Sequence, residues 1–254
     1  MDLGLQGKRA LITGASRGIG LAMARTFAAE GASIAICARG EAALKEVADD
    51  LATAGATVHA QAVDVADGTA VREFVDASAV ALGGLDIVVA NTSASVGRGP
   101  DAWTNSFEID LMGFVNLIEA STRHFEDAGG GAVVAVATTS ALEAGVLPTA
   151  NSYAALKAAV IQHASAQAHA LGPKGVRVNV VSPGPVFFEG GDWQKIKEGM
   201  PKLFDAALGS SALGKLGSAE DIANAAAFLA SPAAGHITGA NLVVDGGFTK
   251  RVDF

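Results

Sequence analysis

The sequence predicts an α/β protein: a single domain over 1–254, built on a doubly wound parallel sheet of about seven strands with helices on both faces. Three observations predict it. Short runs rich in Val, Ile and Ala alternate with helical patterns almost to the end of the 254 residues, and such alternation implies right-handed βαβ crossovers and a parallel sheet. Half of the residues are apolar, which suits strands buried on both faces. The stretch KRALITGASRGIGLAMARTFAAEG reads as strand, glycine turn and amphipathic helix, the opening unit of such a sheet.

In chain order, strands are expected at 8–13, 33–38, 57–62, 85–90, 131–137, 176–181 and 241–244. Gly31 and Gly55 are placed to end the helices before the second and third strands. Asp67 and Ser218 are placed to cap the helices that follow them. Longer helical patterns cover 107–125 and 153–171, with apolar faces suited to contact with further copies of the chain. No linker, repeat or low-complexity tract divides the sequence.

Composition excludes several functions. A net charge of −8 with no basic run speaks against nucleic acid, whose backbone binds clustered Lys and Arg. No apolar run reaches the roughly 18 residues of a membrane span, so a soluble protein is expected. The apolar stretch after Lys8 and Arg9 is too short for a signal peptide and is expected to form the first strand. Cys37 is the only cysteine, so no intrachain disulfide forms and a cytoplasmic location fits. The five histidines show no metal-ligand spacing, and no metal is expected.

Ligands of such sheets bind outside the carboxyl ends of the strands. Ser16 and Arg17 follow the first strand there, Arg39 the second, Asp64 the third, Asn91 the fourth, Ser140 the fifth, and Pro183 with Gly184 the sixth. Gly14, Gly18 and Gly20 would let the first turn run tight and approach a pyrophosphate, which the next helix attracts with its unpaired N–H groups. Tyr153, the only tyrosine, lies four residues before Lys157. On a helix both face the same way, and an ammonium near a phenol favours phenolate, lowering a pKa of about 10.

The motifs TGASRGIG at 13–20, Asp64-Val65, Asn91, Ser140 with SYAALK at 152–157, VRVNVVSPGPV at 176–186 and ITGANLVVDGG at 237–247 resemble those of the short-chain dehydrogenases/reductases, in the branch of the 3-oxoacyl carrier-protein reductases. The resemblance covers essentially the whole chain. It implies a Rossmann-type fold and NAD(P)-dependent interconversion of a carbonyl and a secondary alcohol. Tyr153 would be the general acid in reduction and base in oxidation, Ser140 would hydrogen-bond the carbonyl oxygen, and Lys157 would bind the nicotinamide ribose and acidify Tyr153. Cofactor contacts are implied at Gly14, Ser16, Arg17, Gly18, Ile19, Gly20, Arg39, Asp64, Val65, Asn91, Tyr153, Lys157, Pro183, Gly184 and Val186. The resemblance also implies a homotetramer.

Charge chooses between cofactors. Where an NAD site has Asp or Glu after the second strand, this chain has Ala38 followed by Arg39, and Arg17 lies in the glycine turn, so two guanidiniums are available for the 2′-phosphate of NADP(H). Three positions depart from the family pattern. After the fourth strand the chain reads Ala90, Asn91, Thr92, Ser93, without the usual Gly. Asp110 stands where the family commonly has a relay Asn. The Thr that usually anchors the nicotinamide amide gives way to Phe188 or its neighbour.

A substrate lid is expected over about 186–212, where Phe187, Phe188 and Trp193, with Ile196, Met200 and Phe204, suggest an apolar pocket wall and Gly190 and Gly191 a hinge. The reading is NADP(H)-dependent interconversion of a carbonyl and a secondary alcohol on an apolar small molecule. Reduction of a 3-oxoacyl carrier-protein substrate is the alternative, weakened by Glu126 and Asp127 where a basic docking surface is needed, although Arg123 and Lys174 remain. A NADP(H)-binding sensor or structural subunit with little turnover is the alternative of another class.

Overall fold

The computed structural model of the protein describes residues 2–94, 96–97, 99–144 and 151–250; the ends of the 1–254 domain, residue 1 and residues 251–254, lie outside them. Strands β1 (Arg9–Thr13), β2 (Ser33–Ala38), β3 (Val58–Ala62), β4 (Ile87–Ala90), β5 (Gly131–Val136), β6 (Val176–Pro183) and β7 (Asn241–Val244) fall close to the runs read from the sequence. All pair in parallel, in the order β3-β2-β1-β4-β5-β6-β7. Around them lie α1 (Gly18–Ala29), α2 (Glu41–Thr53), α3 (Gly68–Leu82), α4 (Pro100–Asn105), α5 (Gly113–Ala128), α6 (Ser152–Leu171), α7 (Asp192–Gly199), α8 (Pro201–Ser210) and α9 (Ala219–Ala230).

Alternation along each strand divides the core into two layers. Ile12, Ile34, Ile36, Val89 and Val134 face α1, α2 and α9, where they meet Met23, Phe27, Leu44 and Ile222. Leu11, Cys37, Val88 and Val133 face α3, α5 and α6, where they meet Phe74, Phe114, Phe125 and Val160. Burial of each large side chain contributes about 1.5–3 kcal/mol, which is why the strands read as almost unbroken apolar runs.

The helix ends follow local chemistry. Asp67 accepts hydrogen bonds from the Thr69 and Ala70 amides. Ser218 and Asp221 form a reciprocal capping box at the start of α9, with Asp221 N donating to Ser218 Oγ at 3.1 Å and Ser218 N to Asp221 Oδ2 at 2.8 Å. Ser218→Ala is expected to cost about 1 kcal/mol, seen as a lower denaturant midpoint with an unchanged slope.

One helical stretch differs from the simple expectation. Between α4 and α5 the chain continues without a break through a π-helical segment, Ser106–Met112. Wider turns of this kind recur at functional sites, and this one carries Asp110. The sheet order reverses between β1 and β4, so the crevice of the doubly wound arrangement opens there.

Candidate active site

The glycine turn after β1 forms one wall of that crevice. Gly14 has φ 68°, a left-handed conformation that disfavours a side chain. Gly20 is required by space: a Cβ there would lie 2.2 Å from the Gly14 carbonyl oxygen and 2.5 Å from Asn91 Nδ2. Asn91 buttresses the turn, with Nδ2 donating to the carbonyls of Thr13 at 3.0 Å and Gly14 at 3.2 Å. Arg17 precedes α1 in an extended conformation with no side-chain cap, which leaves first-turn N–H groups for an anion.

A crevice of about 390 Å³ is lined by Gly14, Ser16, Arg17, Ile19, Gly20, Arg39, Asp64, Val65 and Asn91. These donors fit a phosphate-bearing dinucleotide: a glycine cradle with no room for Cβ atoms, a free helix N-terminus, and two exposed guanidiniums. Pro183, Gly184 and Val186 do not line this crevice. Gly184 N donates to the Val244 carbonyl at 3.0 Å, and the Val186 side chain is buried in the core.

The second part of the site is the start of α6. Asn151 caps it by accepting from the Ala154 amide at 2.9 Å. Buried Ser152 donates to the Ala102 carbonyl at 3.0 Å and accepts from Ser106 Oγ at 3.0 Å. These bonds fasten the first turn of α6 to the α4 and π-helical segments, and so set the positions of Tyr153 and Lys157. From the loop after β5, the Thr138 hydroxyl bonds the Tyr153 side chain, and Thr138 Oγ1 accepts from the Ser140 amide at 3.2 Å. Thr138 thus joins the two expected catalytic residues.

Lys157 Nζ donates to the Val136 carbonyl at 2.9 Å and lies 3.1 Å from Asp110 Oδ1, with side-chain exposures of 3% and 0% for the pair. Ser93 Oγ donates to the same Oδ1 at 2.8 Å. Tyr153 keeps part of its surface exposed, yet burial of its hydroxyl is the largest effect on it. The phenol is pushed up to about 12; the Thr138 hydrogen bond opposes the rise, and the negative charges of Asp110 and Asp192 add to it. Lys157, expected from the sequence to acidify this phenol, is not among the groups that act on it here. The ammonium is instead engaged by a buried carboxylate.

The expected lid contains α7 and α8. Phe187 and Phe204 meet edge to face at 6.0 Å, Trp193 lies 6.4 Å from Phe204, and the Lys197 ammonium stands over both phenylalanine rings at 5.4 and 5.6 Å. Phe188 lies apart from this aromatic group. It lines the dinucleotide crevice and packs on the glycine turn, where a Cβ on Gly18 would come within 2.6 Å of its ring. The reason is local: Gly18 presents no side chain, so a planar ring can rest on the turn.

Thr138 and Ser93 were not singled out as site residues by sequence reasoning. Both are short hydroxyl residues in loops, and their partners are distant in the chain, so no local pattern marks them. Among the described residues, no group of three or more His, Cys, Asp or Glu side chains is placed to hold a metal ion, and no helix is long and apolar enough to cross a membrane.

Comparison with known proteins adds relatives to this geometry. Residues 14–249 match the family model described as Enoyl-(Acyl carrier protein) reductase. Isoepoxydon dehydrogenase patN of Penicillium expansum is 38% identical over 259 residues, covering 100% of this chain and 99% of its own. A short chain dehydrogenase from Burkholderia cenocepacia J2315, solved in complex with NADP, superposes with a TM-score of 0.87 at 34% identity, over 96% of this chain and 98% of that one. L-Sorbose reductase from Gluconobacter frateurii, complexed with NADPH and L-sorbose, gives a TM-score of 0.89 at 30% identity, over 99% and 100%.

Proposed function

Because the chain belongs to the short-chain dehydrogenase/reductase family, we propose that it is an oxidoreductase that interconverts a carbonyl and a secondary alcohol on a small molecule with NADP(H). One observation carries the reading. Tyr153, Ser140 and Lys157 gather on the sheet rim that also bears the dinucleotide crevice, with Thr138 bonded to the first two.

The bound nicotinamide supplies the hydride. The chain's own residues do the rest. The Tyr153 phenol, protonated at neutral pH, donates its proton to the carbonyl oxygen. Ser140 offers a hydroxyl hydrogen bond to the same oxygen, where negative charge develops. Two of the three Lys157 donors are taken by Val136 and Asp110, leaving the third for a ribose hydroxyl. The glycine turn and the α1 N-terminus hold the pyrophosphate.

NADP(H) is favoured over NAD(H) by Ala38, which removes the carboxylate that would repel a 2′-phosphate, and by Arg17 and Arg39 on the crevice wall. A hydrogen bond to a charged partner is worth about 1.5–3 kcal/mol. Arg39→Ala is therefore expected to lower kcat/KM for NADPH by about 10- to 100-fold and to leave NADH nearly unaffected. Steady-state kinetics with both cofactors check this; equal losses would remove the assignment.

The lid over about 186–212 presents Phe187, Trp193 and Phe204, which supports a substrate with an apolar face. Docking of an acidic carrier protein is less favoured, because Arg123 is paired with Asp76, and Lys174 with Glu126 at 2.7 Å. Half-exposed Trp103 and Phe107 and the partly exposed Leu242 of β7 support assembly of a homotetramer, and the buried, unpaired Cys37 fits a cytoplasmic location. The deciding experiment is a panel of ketones, sugars and secondary alcohols with both nicotinamide cofactors. Turnover of apolar ketones with NADPH is expected. A strong preference for sugars would overturn the apolar lid, and NADPH binding without turnover across the panel would identify a binding subunit instead.

A further inference from the structure

Asp110 occupies a position for which the proposed reaction has no use for a charge. Its surroundings explain how a carboxylate persists there. The side chain is fully buried on the π-helical segment, and Oδ1 receives both Ser93 Oγ and Lys157 Nζ. Oδ2 has no hydrogen-bond partner among the described residues. Asp110 and Lys157, with Thr92, line a small pocket of about 20 Å³. Removal of two charges from water is tolerated only where each finds the other with good geometry, and the pair is held on both sides, by Ser93 on the carboxylate and by the Val136 carbonyl on the ammonium.

We propose that Asp110 is a positioning residue: its carboxylate pairs with the Lys157 ammonium inside the fold, cancels the positive charge that would favour phenolate at Tyr153, and so sets the pH at which that phenol ionises. This deepens the proposed reaction and rests on Tyr153 being its proton donor. The groups that face the phenol are few. Lys157 comes from α6 itself, Asp110 from the π-helical segment, and Asp192 from the start of α7. Thr138 and Ser140, after β5, bring only hydroxyls. Cys37 of β2 lines the same pocket as the ion pair, and burial pushes its thiol up to about 12, so it stays neutral. The carboxylates that act on the phenol are therefore Asp110, paired inside the fold with Lys157, and Asp192, which is exposed, screened and paired with Lys195 at 3.1 Å.

The chain supplies its own probe. Tyr153 is the only tyrosine, so the phenolate ultraviolet difference band of the intact protein titrates this single group, with no substrate or cofactor present. In the wild type the band is expected to appear only above the ordinary tyrosine range. Asp110→Asn retains the side chain's shape and an acceptor for Ser93 while removing the charge. It is expected to move the midpoint down by about one to two pH units. Asp192→Asn, at an exposed position, is expected to move it less.

A merely structural role would change the melting temperature and leave the phenolate band in place. The proposal is overturned by an unmoved or raised midpoint in folded Asp110→Asn protein, folding being checked by circular dichroism. It is also overturned if Asp192→Asn gives an equal or larger shift. If Asp110→Asn does not fold, Asp110→Ser takes its place under the same criteria, and a wild-type midpoint at or below about 10 sinks the idea by itself. A phenol that moves as expected in a protein without carbonyl turnover would count against the proposed reaction and not against Asp110.

Discussion

Tyr153→Phe is expected to lower turnover by about 10²- to 10⁴-fold, the usual worth of a positioned general acid, while cofactor affinity stays nearly unchanged. The substitution removes one oxygen and its bond to Thr138 and leaves the ring in place. Ser152, Ser106 and Asn151 continue to hold the first turn of α6, so the Lys157 ammonium keeps its place. The loss should therefore appear in kcat and in kcat/KM together, as for an interaction made only in the transition state. Stopped-flow single turnovers and isothermal titration with NADPH separate the two effects. A variant that retains more than about a tenth of wild-type turnover would show that another group delivers the proton.

Gly20→Ala is expected to damage both stability and cofactor binding, by about 1–3 kcal/mol in folding and at least about tenfold in NADPH affinity. The added methyl would meet the backbone oxygen of Gly14 and the amide of Asn91, not the yielding tip of a flexible side chain. To make room, α1 must move away from β1, and Asn91 must give up its bonds to Thr13 and Gly14. Gly209→Ala is the control. Nothing lies within 4 Å of a Cβ there, within α8, so a gain of about 0.5–1 kcal/mol is expected from the better helix former. Thermal denaturation of the two variants and titration with NADPH test the contrast; a Gly20→Ala protein as stable as the wild type would mean that the turn is softer than its contacts imply.

The parts of the molecule legible in the sequence share a physical reason. The strands could be read because both faces of each are buried, which leaves runs such as Ile34, Ala35 and Ile36 with no polar interruption. The helix starts could be read at Asp67 and Ser218 because capping is decided within three residues. The glycine turn could be read because its close packing on Gly14 and Asn91 admits only glycine at Gly20. What escaped depends on contacts between remote segments. The i,i+4 spacing of Tyr153 and Lys157 placed them on one face but could not reveal that Asp110 already held the ammonium. The aromatic content of 187–204 suggested a single wall, yet Phe188 rests on Gly18 while Phe187 packs with Phe204. Thr138 became visible only when β5 brought its loop against α6.

The wide turn at Ser106–Met112 carries a consequence for how this protein tolerates change in length. A π-helical turn holds more residues than an α-helical turn, so it rotates the residues before it relative to those after it about a common axis. Ser106 and Asp110 thereby reach Ser152 and Lys157 while Phe114 and Leu117 keep their places in the apolar layer. Phase is thus adjusted independently at the two ends of one continuous rod. Loss of a single residue here would let the rod wind as plain α-helix, at about 100° per residue, with its two halves close to their present phase, whereas an added residue would meet a turn already widened and would swing the upstream half, with Ser106, away from Ser152.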